Sequence, residues 1–91
     1  MSYNINYEVV SPPFEGNDDP DGYFGWESEV DLFFSNYPCP AEEQVKIVTR
    51  EFYHYARDWW NRLRRNRGGI RSWRELKYIM REHYVPYQYN A

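Results

Sequence analysis

The pattern of apolar and polar positions changes period once along the chain. Tyr3, Ile5, Tyr7 and Val9 occupy odd positions, with Asn4, Asn6 and Glu8 between them. This period of two marks a half-buried strand. No second stretch of that kind occurs, so the arm has no obvious strand partner in its own chain. Ser11-Pro12-Pro13 then imposes an extended turn, and Gly16-Asn17-Asp18-Asp19-Pro20 a second loop.

Beyond this point apolar residues recur at helical spacing, and four stripes predict helices near residues 20–37, 40–52, 54–67 and 72–84. In the first, Asp19 is placed as N-cap, Pro20 at the first helical position and Asp21 in the first turn. Tyr23, Trp26, Val30, Phe33, Phe34 and Tyr37 form its stripe, and Glu27, Asp31 and Ser35 are expected on the opposite, solvated face. Pro38-Cys39-Pro40 stops it. Glu42 and Glu43 suit the N-terminal dipole of the second helix, whose stripe is Ala41, Val45, Val48 and Phe52. The third buries Ala56, Trp59, Trp60 and Leu63 and ends at Gly68-Gly69. Trp59 and Trp60 point about 100° apart on a helix, so they reach two neighbours, expected to be helices one and four. Ser72 and Glu75 form a capping box for the fourth, whose face is Trp73, Leu76, Met80 and Tyr84 before Pro86. The predicted fold is therefore all-α, a small bundle of four to five helices with an extended N-terminal arm. The expected organisation is an arm over 1–13, a helical domain over 14–86 and a tail over 87–91.

Composition sharpens this picture. In 91 residues there are four Trp, ten Tyr and five Phe, and each ring removes about 150–250 Å² from water when buried. Phe14, Trp26, Phe34, Phe52, Ala56, Trp59, Trp60 and Trp73 are the expected core. The aromatics of the arm and tail (Tyr3, Tyr7, Tyr87, Tyr89) exceed what so small a core can use and suggest a contact surface. No apolar run reaches the roughly 18 residues of a membrane span, and the first ten residues have neither a basic start nor an apolar core, so no signal peptide is expected. With Cys39 as the single cysteine, a disulfide framework is excluded and a reducing, cytoplasmic home expected.

The charge is unevenly spread. Residues 1–51 carry eleven acids and two bases, a net of −9; residues 52–91 carry nine bases and three acids, a net of +6, which together give the overall −3. Arg62, Arg64, Arg65, Arg67, Arg71 and Arg74 fall in one window with no acid. Three readings stand: a solvated helix end favoured by the C-terminal dipole, a contact with the acidic half of another copy, or phosphates of a nucleic acid. The two halves can equally neutralise each other within one domain. Chemistry is otherwise scarce. His54 and His83 lack companions at metal-ligand spacing, Cys39 lacks a basic neighbour, and Gly68-Gly69 fits no phosphate loop. Neither an enzyme, a cofactor, a metal nor a small-molecule substrate is expected.

The ordered set Pro13-Phe14-Glu15-Gly16, Asp19-Pro20, Tyr23 and Trp26, Phe33-Phe34, Glu42-Glu43-Gln44-Val45-Lys46, Phe52, Ala56, Trp59-Trp60, Trp73, Leu76-Lys77, Met80 and Tyr84-Val85-Pro86 resembles the Gag domain of gypsy-type LTR retrotransposons, most closely plant copies or a domesticated derivative. The resemblance covers residues 13–86. It implies the N-terminal lobe of a retroelement capsid: an all-helical, non-catalytic unit that self-associates, homo-oligomeric in a capsid lattice or virus-like particle. Domesticated relatives of that lobe bind peptides in a hydrophobic groove, so the implied partners are other copies or a host peptide. RNA is a weaker candidate, because the Cys-His zinc knuckle of such proteins is missing from these residues. Gly22 and Gly25 also depart from the pattern, as does Tyr84 where Phe is commoner. The arm residues Tyr3, Ile5, Tyr7 and Val9 are expected to make a self-association or peptide contact, and no membrane is expected as a partner.

Overall fold

A computed structural model describes residues 10–86; the expected contacts of Tyr3, Ile5, Tyr7 and Val9 and of the tail lie outside the described residues. Four helices follow one another: α1 (Pro20–Asn36), α2 (Ala41–Arg50), α3 (His54–Asn66) and α4 (Trp73–Tyr84). Each lies within two residues of its predicted ends, because the capping chemistry was explicit. The Asp19 carboxylate accepts from the Gly22 N–H at 2.8 Å, with Pro20 at the first helical position. The Ser72 hydroxyl accepts from the Glu75 N–H at 3.0 Å. The Glu75 carboxylate, however, accepts from the Arg71 N–H at 3.0 Å, one residue upstream of the position that a reciprocal capping box uses. α3 also ends differently from expectation. Its C-cap, Arg67, is extended, and neither Gly68 nor Gly69 takes the left-handed conformation.

α4 packs against both α1 and α2. The core joins Tyr23, Trp26 and Val30 of α1, Val45 and Val48 of α2, Ala56, Trp59 and Trp60 of α3, and Trp73, Leu76 and Met80 of α4, with Phe14, Phe52 and Val85 from the connections. Phe34 is only partly buried, against Trp73 at 6.4 Å between rings. It lies near the end of α1, where the stripe outruns the core. Tyr37 is half exposed there, and Ala41, at the start of α2, is exposed as well. Trp59 reaches α4, at 5.6 Å from Tyr84. Trp60 lies edge-on to Phe52 at 6.2 Å and shares the wall of a groove with Val45 of α2.

The lead-in segment is part of this core. Phe14 stacks on Trp26 at 4.4 Å and meets Tyr84 edge-on at 5.1 Å, with Phe52 at 5.8 Å. Its backbone forms a single parallel bridge with Phe52: the Phe14 N–H donates to the Glu51 carbonyl, and the Tyr53 N–H to the Phe14 carbonyl, each at 2.9 Å. The Ala56 N–H then donates to the Glu15 carbonyl at 2.8 Å. Packing extends upstream as far as Ser11, which is buried and donates to the Ile47 carbonyl at 3.3 Å, while the Trp26 indole donates to the Pro12 carbonyl at 3.0 Å. The two prolines thus suit a segment that needs no N–H partners at those positions.

One expectation is overturned. Glu27 is not on a solvated face: it is buried, accepting from the Tyr23 hydroxyl at 2.8 Å and from the Arg81 guanidinium through two bonds of 2.8 and 2.6 Å. One turn on, Asp31 accepts from the Trp73 indole at 2.7 Å and from the Lys77 ammonium at 3.0 Å. An amphipathic wheel drawn for α1 alone reads Glu27 as surface, because it cannot show that α4 brings Arg81 to it; Asp31 does stay exposed, as expected. Burial and the Glu27 bond push the Tyr23 phenol well above its ordinary value.

Two stability outcomes follow from this packing. Gly16 has a φ of +88°, and a Cβ there would lie 2.6 Å from the Ala56 nitrogen. Gly16→Ala is expected to cost at least the roughly 1–2 kcal/mol of a left-handed non-glycine residue, read as a lower urea midpoint; an unchanged midpoint would show that the loop relocates freely. Arg81→Met leaves Glu27 buried with only the Tyr23 hydroxyl and is expected to cost about 1–3 kcal/mol. The double change Glu27→Leu with Arg81→Met should recover part of that loss, since paired removal strands no charge.

Candidate interaction site

The arginine window folds into the end of α3, the turn after it and the start of α4. Arg64 and Arg65 occupy the last turn of α3, where the helix dipole favours cations. The Arg67 N–H closes the helix on the Leu63 carbonyl at 3.2 Å. Ile70 then folds back against the core, and Arg71 and Arg74 flank the cap of α4. All six arginines are exposed, yet they do not form one patch. Residues two apart on a helix point about 200° apart. Arg62 accordingly sits near His83 and Tyr84 at the C-terminal end of α4. Arg64 turns the other way, its guanidinium 5.9 Å from the Trp60 ring and bonded to the Asn61 amide oxygen at 3.0 Å. Arg67 reaches Glu75 at 3.4 Å.

Between α2 and this turn lies a groove of about 380 Å³. Val45, Trp60 and Ile70 give it apolar walls, the Gly68-Gly69 backbone forms part of its rim, and Arg64 and Arg67 supply the charge. Among the described residues no carboxylate lines it. It can take an extended, partly apolar segment that presents an acid to the arginines. Sequence reasoning found the arginines but not the groove, because its walls come from α2, α3 and the α3–α4 turn.

Other candidates are placed elsewhere. A shallow cleft of about 400 Å³ is lined by Glu15, His54, Tyr55 and Asp58, with His54 in the left-handed region at φ +53°. Among the described residues no three His, Cys, Asp or Glu side chains gather as a metal site. Cys39 is partly buried, and burial together with Glu43 raises its thiol, which disfavours the reactive thiolate. Among the described residues no helix is long and apolar enough to cross a membrane. Phe14, Trp26, Phe52, Ala56, Trp59, Trp60 and Trp73 are all core residues.

A small helical module with its chemistry on its surfaces, and with an aromatic core sewn to its own lead-in segment, is the class of protein these features define. A family model described as the N-terminal capsid-like domain of the retrotransposon-derived protein PEG10 matches residues 8–85. The chain belongs to this family of retrotransposon Gag-derived, capsid-like domains, and its role at that level is structural. No curated protein and no solved structure matches it.

His83 supplies a pH-dependent probe of this end of the molecule. Its ring stacks on Trp59 at 5.2 Å and meets Tyr84 edge-on at 4.5 Å. Burial of that face, and then the Arg62 charge, lower its proton affinity below the ordinary value of 6.5. The unfolded chain therefore takes up the proton first, and stability is expected to fall as pH drops below about 6.5. Thermal melts at stepped pH should show this slope, and His83→Phe should remove it; an equal slope in both proteins would place its origin elsewhere.

Proposed function

We propose that this domain is a non-enzymatic building block that self-associates in a capsid-like assembly in the cytoplasm. The observation that supports this is the family match over residues 8–85, since a capsid shell is made by repeating one such unit. The exposed arginines on a chain of net charge −3 suit a head-to-tail contact, in which one surface of a copy meets a different surface of the next. Sedimentation velocity over a wide concentration range tests the reading. The average mass should rise with concentration and fall back at high salt, where exposed charge pairs are screened. A monomer at every concentration and salt would refute it.

A second reading rests on the groove of Val45, Trp60 and Ile70. It gives an extended peptide an apolar floor beside Arg64 and Arg67, as a domesticated interaction module would. Such binding would survive in the monomer and be lost in Arg64→Glu. Retention of RNA that weakens steeply with salt would instead favour a phosphate contact by the arginines.

A further inference from the structure

The two ends of α3 carry surfaces of opposite kind. At its start Tyr55 is 66% exposed, beside the cleft that it lines with Glu15, His54 and Asp58. Glu15 is held there by its backbone, because the Ala56 N–H donates to its carbonyl at 2.8 Å. Among the described residues neither the Glu15 nor the Asp58 carboxylate has an ion-pair partner. Arg57 is turned back onto the Phe52 carbonyl at 3.1 Å, and Arg62, one turn past Asp58, sits toward His83. A single exposed ring is ordinary on a protein surface. This one is set between two unpaired acids, and the groove at the other end of the helix is its inverse. Val45, Trp60 and Ile70 wall that groove, and Arg64 and Arg67 edge it. Arg67 is shared with Glu75, whereas Arg64 has neutral partners, the Trp60 ring and the Asn61 amide.

We infer that this groove receives Tyr55 of a second copy, with the ring against Val45, Trp60 and Ile70 and the flanking Glu15 and Asp58 beside Arg64. The inference rests on the proposed self-association and names the two surfaces that make it. Tyr55 and Arg64 are nine residues apart on α3, roughly 14 Å along the axis and half a turn around it. A chain therefore cannot fill its own groove. Each copy gives a ring at one end and receives one at the other, so the contact is head-to-tail and propagates. The ring supplies the apolar burial, and the opposite charges select the register. Tyr78 is as exposed as Tyr55, but Arg74, Glu75, Arg81 and Glu82 lie within about one turn of it and their charges cancel. It offers the groove no matching charge.

Sedimentation velocity of the full chain tests this with Tyr55→Ser, Arg64→Glu and the conservative Tyr55→Phe. The parent should grow beyond a dimer as concentration rises. Tyr55→Ser and Arg64→Glu should each associate more weakly by about tenfold or more. Tyr55→Phe should behave as the parent, since the ring is what is buried. An equimolar mixture of Tyr55→Ser and Arg64→Glu should form a one-to-one dimer that grows no further, because each supplies the half that the other lacks. A second readout needs no variant: in NMR spectra of the parent along a dilution series, the amides of Gly68, Gly69 and Ile70 should shift together with that of Tyr55. A parent that stays monomeric overturns both this contact and self-association. A parent that grows while either weakened variant grows equally, or while the mixture stays monomeric, overturns this contact alone. Groove amides that ignore the oligomer but shift with a short polyglutamate peptide bearing one tyrosine assign the groove to a different protein, and overturn it as well.

Discussion

The bundle depends on a residue that precedes its first helix. Phe14 fills the space between α1, the α2–α3 turn and the end of α4, and its own backbone is hydrogen-bonded into that turn on both sides. Amphipathic helices bury their stripes only against something shaped to receive them, and here much of that shape is one inserted ring. The bridge to Phe52 holds the ring at a fixed depth. Gly16 then lets the chain pass within contact of the Ala56 backbone before α1 begins. The motif Phe14-Glu15-Gly16 is thus explained by packing: a ring for the core, a carbonyl for the first turn of α3, and a residue without a side chain where two backbones meet.

Electrostatics follow a division of labour. The chain is strongly dipolar in sequence, and part of that dipole is cancelled internally, where two acids of α1 meet two bases of α4. Such pairs are poor sources of net stability when desolvated, so their value lies in orientation. The arginines between Asp58 and Glu75 are left largely to solvent, apart from the Arg67–Glu75 contact and the stacking of Arg64 over Trp60. A surface of that kind beside an apolar groove is where contacts with other chains are most readily made.

Most of the fold was legible in the residues. Asp19-Pro20, Pro38-Cys39-Pro40 and Ser72 with Glu75 delimit elements through backbone chemistry that needs no tertiary partner, so the helix ends could be placed. What depended on neighbours could not. Glu27 looks like surface on a helical wheel and becomes buried only when Arg81 and Tyr23 are set beside it. A signal was nevertheless present: Glu27 and Asp31 are four apart, as are Lys77 and Arg81, and matched spacing of opposite charges on two helices suggests facing turns. The groove was invisible because its walls are distant in sequence. Ser11 and Pro12 read as a turn because prolines mark a break in regular structure equally well whether the chain beyond leaves the body or lies flat upon it.

The two rungs Glu27–Arg81 and Asp31–Lys77 run in opposite order along their helices, as befits an antiparallel pair. Together they work as a vernier. Sliding α1 by one turn, about 6 Å for four residues, would keep a single rung and strand the other acid and base without partners. Apolar stripes are forgiving of such a slip, because one ring replaces another at similar depth. A ladder with only two rungs has no third position to slip into, so a core in which aromatic rings alternate with aliphatic side chains acquires one unambiguous axial alignment.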